Sequence, residues 1–101
     1  MANIQIDFQR ARRLAQQIEE EADRLRSLAN QTVQNVIDCL NGQWEGESAS
    51  AFLKKCLQVK EKMLGEAKRL DQTAALIRGR IELMYRAEQL AKEIATTRQG
   101  G

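Results

Sequence analysis

Side chains able to do chemistry are sparse in this chain, and their spacing does not gather them. There is no histidine, which removes the commonest acid–base group near neutral pH and the commonest metal ligand. The two cysteines, Cys39 and Cys56, lack the CxxC spacing of a zinc or redox motif. Both fall on apolar helical stripes expected to be buried, where a thiol behaves as a small hydrophobe. Glu19, Glu20 and Glu21 are consecutive, so on a helix they fan outward as a solvated face and do not converge on a substrate. No catalytic, cofactor-binding or metal site is expected, and the chain reads as a non-enzyme. The remaining candidate is Trp44, the only tryptophan, whose indole pairs a large apolar body with one N–H donor.

The elements that position Trp44 are two long helices. The chain has 101 residues, no proline, six glycines and 30% charged residues, a composition suited to helix and sufficient for one domain over 1–101. From Phe8 to Leu40, apolar or small residues recur at Ala11, Ala15, Ile18, Ala22, Leu25, Ala29, Thr32, Val36 and Cys39. Steps of four and three alternate, the seam of a helix that packs lengthwise on another. Asp7 stands at the N-cap position, and Glu20 and Arg24 have the spacing of a helical ion pair. From about 48 to 95 the same rhythm returns at Phe52, Cys56, Val59, Met63, Ala67, Leu70, Ala74, Ile77, Ile81 and Met84, with Ser48 or Glu47 as the cap. Gly65 and Gly79 inside it mark either a close approach of another backbone or tolerated surface positions. Beyond Tyr85 the stripe thins to Leu90, Ala91 and Ile94, and the tail is expected to fray.

The stretch 41–47 holds Gly42 and Gly46 and is the one clear break. So short a connection returns the second helix antiparallel to the first. The expected fold is therefore all-α, an antiparallel helix-turn-helix hairpin that pairs into a four-helix bundle. The second helix is longer, so about fifteen C-terminal residues overhang. A hairpin leaves part of each stripe uncovered, and Ile18, Leu25, Val36, Phe52, Met63, Leu70, Ile77 and Ile81 form the expected partner-interface stripe. With the turn centred near Trp44, Cys56 sits roughly two turns, ~10 Å, from the level of Cys39, too far for an intrachain disulfide. Trp44 either plugs the hairpin end against Leu40 or Phe52, or offers a recognition surface; the two roles are compatible.

Charge excludes other classes. Residues 1–47 carry five arginines against eight acids, and residues 48–101 eleven Lys and Arg against six, a bias that favours pairing of the halves but is weakened by screening. The basic run from Lys54 to Arg80 is interleaved with Glu61, Glu66 and Asp71, a solvated helix face and no nucleic-acid groove binder. No apolar run spans a membrane, and Met1–Asp7 lacks the blocks of a cleavable signal peptide.

With Trp44-Glu45-Gly46 in the turn between two such helices, the chain resembles the WXG family, small helical hairpins exported by bacterial type VII secretion systems. The resemblance covers nearly the whole chain. It implies a four-helix-bundle dimer, export without a cleavable signal peptide after a cytoplasmic stage, and recognition by a secretion ATPase. It implies a role as an exported homodimer, or as a helper paired with a related hairpin or with the N-terminal helical domain of a larger toxin. Trp44 and Gly46 carry over from the family's turn motif, and Phe52 sits where many members have an aromatic. The family's C-terminal signal has the form Tyr-x-x-x-Asp/Glu, whereas here Tyr85-Arg86-Ala87-Glu88 brings the acid one position early. Tyr85 and Glu88 are then a variant signal on one helix face, or the partner carries the signal, or Tyr85 simply ends the apolar stripe. A cytosolic hairpin adaptor or secretion chaperone outside the family is the alternative reading.

Overall fold

The computed structural model describes residues 7–43 and 46–100. Two helices make up the architecture, α1 over Phe8–Gln43 and α2 over Glu47–Gly100. They pack side by side in a rod 82 Å long and 20 × 15 Å across. This is the expected antiparallel hairpin. Both helices run beyond their expected ends: α1 continues three residues past Leu40, and α2 stays helical to Gly100 where fraying was anticipated after about 95.

Local chemistry accounts for the two starts. The Arg10 N–H donates to Asp7 Oδ1 at 3.0 Å and the Ala11 N–H to the Asp7 carbonyl at 3.1 Å, so Asp7 caps α1 as its position suggests. α2 is capped one residue earlier than expected. The Ser50 N–H donates to the Gly46 carbonyl at 3.1 Å, and Gly46 has φ +108°, a conformation L side chains rarely adopt. Gly46 therefore has a backbone reason to be glycine. Gly65 and Gly79 do not have a packing reason: an added Cβ would meet nothing within 4 Å at either, so they are tolerated surface positions and not sites of close approach.

The core is a seam of alanine. Ala15, Ala22 and Ala29 of α1 and Ala67 and Ala74 of α2 are fully buried, joined by Ile81 and Val33. Their seven-residue spacing keeps one methyl per two turns pointed at the neighbouring helix. Methyl-sized side chains contribute little apolar area each, but they let two backbones lie close along several turns. No large side chain is fully buried among the described residues. The hairpin alone therefore buries mainly small residues and, Val33 and Ile81 apart, leaves its large ones partly or largely at the surface.

Candidate protein-binding face

Two ion pairs fix the register of α1 on α2. Arg26 donates to Asp71 at 2.7 Å. Arg78 grips Glu19 through both carboxylate oxygens, at 3.1 and 2.7 Å. One arginine comes from each helix, so the pairs do not follow the acidic-half, basic-half division. Hydrogen bonding from Arg78, more than its charge, holds the Glu19 carboxyl below the ordinary carboxylate range against a smaller opposing desolvation. The hydrogen bond Arg26 donates to Asp71, then the one it donates to Asp23, raises Arg26, and the bond donated to Glu19 raises Arg78. These side chains are still substantially open to solvent, so the pairs select an alignment more than they supply stability.

Around the alanine seam, both helices follow one pattern. Relative to Ala22, Glu19 and Arg26 stand at −3 and +4, and Ile18 and Leu25 at −4 and +3. Relative to Ala74, Asp71 and Arg78 stand at −3 and +4, and Leu70 and Ile77 at −4 and +3. In an antiparallel pair, equal rotations on the two helices lie on the same side of the contact. The charged quartet therefore closes one flank of the seam. Ile18, Leu25, Leu70 and Ile77 form an aliphatic quartet on the other, each of them part-buried.

The aliphatic flank continues in both directions. Leu14 and Leu28 are 51% and 52% exposed, and Val59, Phe52 and Met84 are 55%, 45% and 44% exposed. Val36 and Met63, part-buried, belong to the same side towards the turn. There Thr32, Val36, Cys39, Leu40 and Phe52 line an open groove, which Val33, Cys56, Val59 and Met63 extend. The groove lies where the alanines give way to larger residues. Cys39 is exposed and Cys56 part-buried, and both are free thiols; the expectation that both lie on buried stripes does not hold for Cys39.

Of the eight residues singled out as a partner stripe, seven keep exposed or part-exposed surface on this flank or its groove. Ile81 is 6% exposed and belongs to the hairpin seam. The charged quartet escaped the sequence reading, although its constant offset from the alanines was visible there. Glu20 and Arg24 do not pair; Arg24 bonds Glu21 at 2.9 Å instead.

At the open end, the Tyr85 ring meets Phe8 edge-on at 5.5 Å between centroids, with the Arg12 guanidinium 5.8 Å from its centre. Tyr85 thus ties α2 to the first turn of α1. Glu88 points its carboxylate to Lys92 at 3.6 Å. Trp44, with Glu45, lies outside the described residues, so of the turn motif only Gly46 is placed.

Among the described residues no group of His, Cys, Asp or Glu is arranged to hold a metal ion, and no helix is long and apolar enough to cross a membrane.

A family model described as "WXG100: Proteins of 100 residues with WXG" matches residues 3–89. Neither the curated proteins nor the solved structures contain a match.

Proposed function

The chain belongs to the WXG100 family, and from that premise, which makes it a small helical protein associated with type VII secretion, we propose that it is exported as a dimer built on its aliphatic flank. The observation that carries the dimer is the asymmetry of the hairpin. One flank of the alanine seam is closed by Glu19, Arg26, Asp71 and Arg78, while the other holds Ile18, Leu25, Leu70 and Ile77 partly open. A second hairpin laid on that flank supplies the large-residue core that the alanine seam lacks, giving a four-helix bundle. A second copy is the first occupant, because a two-fold axis through the quartet brings the same four residues against one another. The N-terminal helical hairpin of a larger secreted toxin is the other occupant of this reading, and the helper role applies when the chain alone stays monomeric.

Recognition by the secretion ATPase is assigned to the turn, through Trp44 and Gly46, with Tyr85 and Glu88 as the candidate variant signal on α2. The packing of Tyr85 on Phe8 supports its other role as the end of the apolar stripe. Export from a type VII-competent bacterium separates these roles. Trp44→Ala is expected to keep helicity and dimerisation and to lose export; if it unfolds the protein, the turn is structural and the recognition claim fails. Tyr85→Phe keeps the ring contact and removes the hydroxyl. Export that survives Tyr85→Phe and falls with Tyr85→Ala in step with stability assigns Tyr85 to packing.

A further inference from the structure

The face of α2 directly opposite the alanine seam is also apolar. Leu76, Leu83 and Leu90 each follow a seam residue, Ala67, Ala74 and Ile81, by nine positions, and nine residues at 3.6 per turn is half a turn beyond two full ones. They are 63%, 68% and 57% exposed. Ala87 and Ile94 continue the row, so that 83, 87, 90 and 94 take the alternating four and three steps of a coiled-coil seam. α1 lies on the other side of α2 and cannot cover them. Past the Phe8–Tyr85 contact, α1 has reached its first residue, and among the described residues none lies beside the remaining arm of α2. An isolated helix of that length is marginal in water, so the leucine row needs cover.

We propose that this arm, with the turn of α2 just before it, pairs antiparallel with the same stretch of a second copy, through Leu83, Ala87, Leu90 and Ile94. Charge identifies the occupant. When Ala87 of one arm is level with Leu90 of the other, Leu83 is level with Ile94, and Arg86 of each arm stands beside Glu93 of its mate. The two-fold axis makes this pair twice along one flank. The opposite flank holds Met84 and Ala91, which bring no like charges together. Glu93 makes no ion pair within the chain among the described residues, while Arg86 leans on Glu82 of its own helix at 3.1 Å. The row lies away from the aliphatic quartet, so the same molecule can use both surfaces, and arm pairing joins dimers into larger assemblies. It does not rest on the secretion reading.

Sedimentation of the full-length chain across a concentration series tests the pairing. The wild type is expected to grow beyond its smallest assembly as concentration rises. Arg86→Glu and Glu93→Arg each set like charges in both contacts and weaken the association roughly tenfold. An equimolar mixture of the two variants restores it, because each contact between unlike variants again pairs an acid with a base. A Leu25→Glu background disables the quartet alone and leaves arm pairing to be read separately. The proposal is overturned if the mixture associates no better than either variant, or if the single variants associate as tightly as wild type. Circular dichroism of each variant shows whether the arm is still helical, so a melted arm is not mistaken for a lost contact.

Discussion

Placing a leucine in the alanine seam should separate the two helices, and a leucine one position away should do nothing. Ala74 is fully buried and, in the register set by Arg26–Asp71 and Glu19–Arg78, lies level with Ala22, also fully buried. Ala74→Leu adds three carbons to a layer that holds only two methyl groups. Such overpacking costs about 1–3 kcal/mol. In a chain of this size 1 kcal/mol moves the melting temperature by roughly 4–8 °C, so a fall of about 5–20 °C is expected. Ala75 is exposed, and leucine and alanine differ little in helix propensity. Ala75→Leu therefore serves as a matched control, with no expected change beyond about 2 °C. Thermal melts followed by circular dichroism at one fixed concentration give both numbers. Equal melting temperatures for the two variants would refute an alanine-packed hairpin.

Three further outcomes follow from the same geometry. Gly65→Ala and Gly79→Ala fill open space and should each raise stability by about 0.5–1 kcal/mol in chemical denaturation, whereas Gly46→Ala, at φ +108°, should lose about 1 kcal/mol. The Glu19 carboxyl titrates below the ordinary range because Arg78 hydrogen-bonds its charged form. Its contribution is full above the ordinary value of about 4.3 and is lost as pH falls through the lower folded-state value. Stability should thus drop in acid titration below about pH 4, and Glu19→Gln should flatten that drop while lowering stability at neutral pH. Tyr85→Ala should loosen the open end of the hairpin, read as faster amide exchange over the first turns of α1, with the alanine seam unaffected.

The hairpin was legible in the sequence because its seam is written twice in the same rhythm, at Ala15, Ala22 and Ala29 and again at Ala67, Ala74 and Ile81. Asp7 announced the start of α1 for an equally local reason. What local pattern does not contain is the alignment of one helix on the other. That alignment rests on pairs separated by 45 and 59 residues, and without it the apolar stripe is a single band. With it, the band divides into seam residues such as Ile81 and flank residues such as Leu25 and Ile77. Gly65 and Gly79 were ambiguous for the same reason, since only a neighbouring helix decides whether a missing Cβ matters. The sequence pattern alone assigns Leu90 and Ile94 to the seam stripe and leaves Leu76 and Leu83 unassigned, because a helix with two opposed apolar faces blurs its own periodicity; Leu90, nine residues past Ile81, lies on the face opposite the seam.

The central claim is that the aliphatic flank is where this hairpin meets another. Light scattering of the wild type beside Leu25→Glu,Ile77→Glu tests it most directly. The wild type is predicted to have at least twice the 11.5 kDa mass of one chain, and the double variant to fall to a lower mass with its helical signal intact. Equal masses for the two proteins, both helical, would contradict the account.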